Sequence, residues 1–282
     1  MTSAQHQRDI TIRQLKGSEW GVYTMSVVNS EIVVGTQWGR ELYVYSTDGS
    51  HVTTIALPDS DTLCYVTWTP RGHIVYTAYN CRRVVVMSRS GDVIAHTQMT
   101  GPLCLSVSTD DVICLADRKS GVYQSRDDGV TWSHVFKSPD GWQCWQVIRV
   151  SRDRHTDDWW TLEYKDMDTR LRVYTTGDRG QTGGHVTWRD VTVPSQAHIT
   201  GNSRLAYDGH TNIFLNDSYN RAIHVLSTVS GQYDRQLVSP SHFTSYNRPE
   251  CVAVDSQRDG HVTMYVGQWY GLVSVFRLSY EH

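Results

Sequence analysis

No stretch of this chain approaches the roughly 18–20 consecutive apolar residues that span a bilayer, so no transmembrane helix is read from it. Proline is scarce, with 7 in 282 residues, which argues against long linkers. The opening MTSAQHQRDIT has no apolar segment of the secretory type, and residues 1–8 read as a polar tail. No block of like charge stands out: 26 basic residues face 29 acidic ones, a net charge of −3. That balance counts against a protein held on nucleic acid mainly by global phosphate neutralisation, and leaves local basic patches open. The 6 cysteines form no C-x-x-C pair and no zinc-finger spacing. Cys64, Cys104, Cys144 and Cys251 recur at the entry of strand-like runs, where small, weakly polar side chains suit a crowded interior. Inert packing thiols and a reducing, cytoplasmic setting are expected. There is also no H-E-x-x-H, G-x-S-x-G, Walker loop or dinucleotide fingerprint. No metal or cofactor is expected.

What the chain does contain is a repeated turn. It runs from Ser46 to Gly49, Ser88 to Gly91, Ser125 to Gly129, Thr176 to Gly180 and Ser227 to Gly231. Each copy follows an alternating β-rich run (LYVYS, RVVVMS, GVYQS, RLRVYTT, AIHVLS), and the glycines lie 42, 38, 51 and 51 residues apart. A period of this size marks a propeller or array. Aligned on the turns, each unit has four strand-like runs. In the second unit these are 63–68, 73–79, 82–88 and 92–99, and the other first strands fall near 22–28, 103–108, 144–150, 203–207 and 250–254. A sixth unit ends at Leu272 to Ser279 without a fourth strand, and the alternating segment Asp9 to Leu15 can supply it. The fold expected is all-β: a six-bladed β-propeller with four-stranded blades, closed by the N-terminal strand, over a single domain of residues 9–282. Closure of this kind protects sheet edges.

Two resemblances attach to particular units. The fifth, LAYDGHTNIFLNDSYNRAIHVLSTVSGQYDRQL (205–237), resembles an NHL repeat in its Ala-x-Asp entry, its I-F-L strand, and Asp217 and Asn220 ahead of the I-H-V-L strand. The sixth matches at Val-Ala-Val-Asp and its third strand, and the second keeps Asn80, Arg82 and Ser-x-x-Gly. The third unit carries Ser125-x-Asp127-x-Gly129-x-Thr131-Trp132, similar to the Asp-box hairpin of sialidase-like propellers, with a partial copy at Thr176 to Thr182. The NHL resemblance implies a recognition module like the C-terminal propeller of tripartite-motif proteins, which binds protein partners or single-stranded RNA. No RING, B-box or coiled coil is read upstream, so ligase activity is not carried over. An Asp-box turn implies a structural role.

In a propeller, the loops joining strands two and three share a face with the inter-blade connections. There the sequence places Trp38 with Gln37, Tyr79, Tyr164, Tyr219, and Gln268 with Trp269 and Tyr270. The third unit offers Arg118 and Lys119 instead, Arg82 follows Tyr79, and the connections add Trp20, Trp142, His198, His242, Phe243 and Tyr246. Rings of this kind stack on bases or sugars and anchor protein interfaces, or else wedge between blades as core. The V-G-x-Q-W motif at Val34 to Trp38 recurs, one residue shorter, at Val266 to Trp269, and its Gln-Trp pair suits a polar clamp. For RNA, Arg40, Arg82, Arg83, Arg118, Lys119, Arg221 and Arg248 are the expected phosphate contacts.

Three functions follow, in order. The first is a non-enzymatic, monomeric module binding protein or single-stranded RNA on this face. The second is a lectin with near-equivalent glycan sites in several blades. The third is a propeller hydrolase or lyase with one central site. Against the third, the inner-strand entries hold Thr24, Cys64, Cys104, Cys144 and Ser203, with one acid, Glu250. Two carboxylates placed for glycoside hydrolysis are not apparent, and no oxygen-rich ligand set for a hard cation stands out.

Overall fold

The computed structural model describes residues 2–12, 15, 21–58, 61–69, 71–153, 155–177, 186–200, 202–244, 246–256 and 262–280. The N-terminal strand β1 (Thr2–Thr11) is followed by blade one: β2 (Thr24–Val28), β3 (Glu31–Gly35), β4 (Glu41–Ser46) and β5 (His51–Ala56). Blade two is β6 (Leu63–Trp68), β7 (Ile74–Ala78), β8 (Arg83–Met87) and β9 (Val93–Gln98). Blade three is β10 (Pro102–Val107), β11 (Ile113–Asp117), β12 (Gly121–Ser125) and β13 (Ser133–Phe136). Blade four has the longest hairpin: β14 (Gln143–Ser151), β15 (Asp157–Lys165), β16 (Asp168–Thr176) and β17 (Val186–Val191). Blade five is β18 (Leu205–Tyr207), β19 (Asn212–Asp217), β20 (Ala222–Ser227) and β21 (Gln232–Val238). Blade six is β22 (Pro249–Ser256), β23 (Val262–Gln268) and β24 (Leu272–Tyr280), with β1 paired to β24 as its outer strand. These six antiparallel four-stranded sheets make a six-bladed β-propeller, as the turn spacing predicts.

The N-terminal strand corrects one expectation. It runs from Thr2 to Thr11 rather than from Asp9 to Leu15, so residues 2–8 belong to the sheet and are no free tail. Its register joins Thr2 to Tyr280 and Thr11 to Leu272, with a bulge between His6 and Arg8. Between Ser3 and Thr11 only Ile10 is buried, so the strand is held by backbone pairing and by few apolar side chains. A pattern search keyed to apolar alternation has nothing to detect there.

The chain divides into two compact units. One comprises residues 1–37, 42–54 and 193–282, and the other comprises 38–41 and 55–192. In the first, Ile10, Ile12, Leu15, Val22, Val34 and Val273 pack together, and Phe214, Val225, Met264 and Phe276 form a second cluster. Gly21 passes so close to blade six that a Cβ there would lie 2.5 Å from the Trp269 Cα. In the second unit, all six residues of β6 are buried, as are Trp159 and Trp160. Every cysteine is free, and five of the six are buried, which fits the packing reading. Burial pushes the thiols of Cys114 and Cys251 up to about 12. Among the described residues, no helix is long and apolar enough to cross a membrane.

The turn after β12 shows how the repeated hairpin is fastened. The Asp127 carboxylate accepts from the Thr131 N–H at 2.9 Å and the Thr131 hydroxyl at 2.6 Å, while Ser125 Oγ accepts from the Gly129 N–H at 2.8 Å. The Trp132 indole donates to the Gly129 carbonyl at 3.0 Å. Partial desolvation would raise the Asp127 pKa, but the bonds from Thr131 and from the Ser125 hydroxyl, at 2.8 Å, hold it below its ordinary value. The partial copy from Thr176 extends beyond the described residues after Gly177.

Candidate functional site

Within the second unit, the loop from Tyr79 to Arg82, the connection Thr100–Gly101 and the loop Arg118–Lys119 enclose a cavity of about 160 Å³. Its floor is Pro102 and Leu103, both buried at the start of β10. The three walls come from the 2–3 loop of blade two, the inter-blade connection and the 2–3 loop of blade three. This is the sharing of one face that propeller topology requires.

Local hydrogen bonds fix each wall. Asn80 Oδ1 accepts from the Thr62 N–H and hydroxyl, both at 2.9 Å, tying the blade-two loop to the strand entry. Arg82 takes a left-handed φ of 51°, and its carbonyl accepts from Met99 N at 2.8 Å. Asp117, at the end of β11, is fully buried. It accepts from the N–H groups of Thr100 (3.1 Å), Gly101 (2.8 Å), Lys119 (2.9 Å) and Ser120 (2.9 Å). The Thr100 hydroxyl adds a bond at 2.7 Å. The Gly101 carbonyl accepts from the Arg118 N–H at 2.8 Å. Burial would raise the Asp117 pKa, but these donors outweigh it and hold the group below its ordinary value. The carboxylate therefore serves as a clasp behind the cavity. Asp217 does the same in blade five, accepting from His198 N at 2.7 Å and Asn220 N at 2.9 Å.

The cations divide sharply. Arg83 is committed: its Nη2 and Nε lie 2.7 and 3.1 Å from Asp61 Oδ1, and Tyr76 donates to the other carboxylate oxygen at 2.5 Å. Arg82, Arg118 and Lys119 border the cavity, and none of them forms an ion pair among the described residues. Beside them the Tyr79 and Trp38 rings meet edge to face with centroids 4.7 Å apart, 38% and 40% exposed. Trp38 is held by its N–H on the Leu63 carbonyl at 3.0 Å. Five of the sequence-predicted ligand residues thus gather in one place: Trp38, Tyr79, Arg82, Arg118 and Lys119.

The others do not join them. Tyr164 packs on Trp145 at 5.2 Å, with its hydroxyl 3.0 Å from the Met167 sulfur. Trp142 lies under the Arg170 guanidinium at 3.7 Å, and Arg170 is in turn paired with buried Glu163 at 2.7 Å. In the first unit, Tyr219 is 73% exposed and stacks at a tilt on His198 at 4.5 Å. Trp269 carries the Arg248 guanidinium at 5.1 Å, and Tyr270 is exposed at φ 65°. Gln37 is half-buried. Gln268 is buried, with its side-chain amide donating to Ser274 inside the blade and its carbonyl accepting from Val22 N at 3.1 Å. Trp20 lies outside the described residues. Phe243 belongs to the core, while His242 and Tyr246 are exposed. The 2–3 loops thus present unlike surroundings from blade to blade.

The inner-strand entries Thr24, Cys64, Cys104, Cys144, Ser203 and Glu250 are all buried. Desolvation raises the Glu250 pKa, against the opposing charges of Arg248 and Arg204. Arg248 Nε donates to it at 2.8 Å, and the buried Arg204 guanidinium lies over the Tyr23 ring at 4.6 Å. Among the described residues, no group of three His, Cys, Asp or Glu side chains is placed to hold a metal ion.

No protein-family model and no curated relative matches this chain. Its fold is similar to that of virginiamycin B lyase. The selenomethionine-substituted enzyme from Staphylococcus aureus superposes with a TM-score of 0.61 at 11% identity, covering 100% of both chains. A catalytically inactive histidine-to-alanine variant of that enzyme with quinupristin gives 0.63 at 12% identity, again over 100% of both chains. Identity this low establishes the propeller architecture and leaves activity to the site residues.

Sequence reasoning missed the cavity's inner parts: Asn80, Thr100, Gly101 and the Asp117 clasp. One signal was available. An acid or amide recurs at or near the end of the second strand, as Asn80, Asp117, Glu163, Asp217 and Gln268.

Proposed function

We propose that this chain is a non-enzymatic recognition module that binds single-stranded RNA on the face carrying Trp38, Tyr79, Arg82, Arg118 and Lys119. The observation that carries the reading is three cations without ion-pair partners among the described residues, set around one cavity beside an exposed aromatic pair. Cations neutralise phosphates, and base stacking on an aromatic side chain contributes about 1–3 kcal/mol with little dependence on sequence. With a net charge of −3 the protein as a whole repels a polyanion, so attraction must come from this patch. Fluorescence anisotropy with a labelled single-stranded RNA of mixed sequence tests it. Three phosphate contacts imply that log K falls against log salt with a slope of about −2. Binding that is flat with salt, or unchanged in Trp38→Ala, overturns the reading.

A second reading is a lyase with one central acid. It is supported by the fold likeness to virginiamycin B lyase and by buried Glu250, whose raised pKa is of the kind found in general acids. Against it, Arg248 already occupies that carboxylate, and the other inner-strand entries are threonine, cysteine and serine. Loss of intact quinupristin on incubation with the protein, abolished in Glu250→Gln, would establish it. No loss removes that substrate.

A further inference from the structure

Resting on the RNA reading above, we propose that the cavity bordered by Arg82, Arg118 and Lys119 is a terminal-phosphate site, which selects single-stranded RNA carrying a phosphomonoester at one end. Three observations lead to this.

The first is shape. Pockets that enclose a whole small ligand run to about 300–1,000 Å³. This one, at about 160 Å³, lies below that range and suits a small group such as a phosphate with its water. It is also stopped from below: Pro102 and Leu103 are buried, and the Thr77 hydroxyl donates to the Leu103 carbonyl at 2.7 Å, holding the floor in place. A chain running through would place its diester groups along an open groove. A closed end suits a terminus.

The second is charge. A phosphomonoester carries about −1.5 to −2 at neutral pH, where a diester carries a single charge. Three cations line the cavity. The nearest carboxylate, Asp117, is turned onto four backbone N–H groups and the Thr100 hydroxyl behind the wall. The next cation, Arg83, is committed to Asp61 and does not compete. The cations come from two separate loops that line the same cavity.

The third is the aromatic neighbour. Tyr79 lines the cavity itself and meets Trp38 at 4.7 Å, with both rings part-exposed. The end base of an RNA whose phosphate sits in the cavity stacks on this pair, whereas a phosphoserine or phosphothreonine side chain has no flat surface of its own. The loops that carry these groups are already fastened, by Asn80 to Thr62, by the Arg82 carbonyl to Met99 N and by Arg118 N to Gly101, so little ordering is required on binding.

The experiment uses one short single-stranded RNA sequence in three forms: 5′-phosphate, 3′-phosphate and hydroxyl at both ends. Each is measured by anisotropy against wild type, the Arg118→Gln/Lys119→Gln double variant and Arg82→Asn, the last chosen because asparagine tolerates the left-handed backbone. Thermal melting confirms that each variant is folded. One phosphorylated form is expected to bind at least about tenfold more tightly than the hydroxyl form, through the added charge-assisted hydrogen bonds. The double variant should erase that preference, and which phosphorylated form binds tightly identifies the end. Equal binding of all three forms with a steep salt dependence overturns the terminal-phosphate site and leaves RNA recognition standing. No binding of any form overturns both. A phosphoserine peptide that binds where RNA does not overturns the proposal in favour of a phosphoprotein partner.

Discussion

The side-chain amide of Gln146 donates to the Tyr65 hydroxyl at 3.2 Å, joining the inner strands of blades two and four across the blade between them. Both residues are buried, so the bond is made in a dry setting. Tyr65→Phe removes the acceptor and leaves the amide short of one partner. The expected loss is about 1 kcal/mol, at the low end of the range for an orphaned buried donor, because each residue has a further interaction within the fold. Urea unfolding measures it. Tyr65→Phe combined with Gln146→Leu should recover part of the loss, and full additivity of the two single changes would show that the bond carries no coupling.

Gly129 holds the Ser125–Trp132 hairpin at φ 89°, and a Cβ there would lie 2.9 Å from Val86 Cγ2. Gly129→Ala therefore meets both a disfavoured backbone region and a packed neighbour in β8. A loss of about 1–3 kcal/mol is expected. RNA affinity of the folded variant should match wild type, because the turn lies at the opposite end of the blade from the cavity. A thermal shift together with anisotropy separates the two effects.

The Asp117 clasp gives a pH dependence with a defined sign. Its folded-state pKa lies below the ordinary carboxylate value, so the unfolded state binds the proton more readily. The stabilisation is complete above about pH 4, the unfolded value, and is lost as the pH falls below that through the lowered folded value. Asp117→Asn keeps one carbonyl acceptor where several N–H donors converge, and should cost about 1–3 kcal/mol at neutral pH. In the Asp117→Asn variant the acid limb of the stability curve should become shallower. Denaturation midpoints measured from pH 3 to pH 7 check this, and an unchanged acid limb would show that Asp117 is not a source of it.

The propeller was legible because its turns are chemically constrained. A serine or threonine that bonds back across the turn and a glycine that tolerates positive φ recur at nearly fixed spacing, and this physics is local. The N-terminal strand begins several residues before the alternation that marks it, because an outer strand with one buried residue between Ser3 and Thr11 leaves no hydrophobic period. The aromatic loops were legible as positions and not as roles. Nothing near Trp142 in sequence says that Arg170 will cover it, and nothing near Gln268 says that its amide will turn inward to Ser274. The first depends on a strand well along the chain; the second depends on the β23–β24 register, which sets Ser274, six residues on from Gln268, opposite Val266. Adjacent arginines show the same limit: Arg82 and Arg83 look alike in sequence, and only the fold sends one to Asp61 and the other to the cavity.

That last contrast yields the sharpest prediction, because stability and affinity should respond to different cations. Removing Arg83 leaves Asp61, which is fully buried, with the Tyr76 hydroxyl as its remaining donor among the bonds described above. A fully buried pair would cost about 3–5 kcal/mol to break, and because Arg83 is partly exposed the expected loss in Arg83→Met is about 1–3 kcal/mol. Its RNA affinity should stay within about twofold of wild type, since an arginine bound to a carboxylate offers no net charge to a phosphate. Arg118→Gln should behave in the opposite way. No ion pair is lost, so the melting temperature should move little, while the slope of log K against log salt becomes shallower by about 0.7 for one lost phosphate contact. If Arg83→Met weakens RNA binding as much as Arg118→Gln does, the division between structural and ligand-facing cations is wrong, and the binding surface extends beyond the cavity.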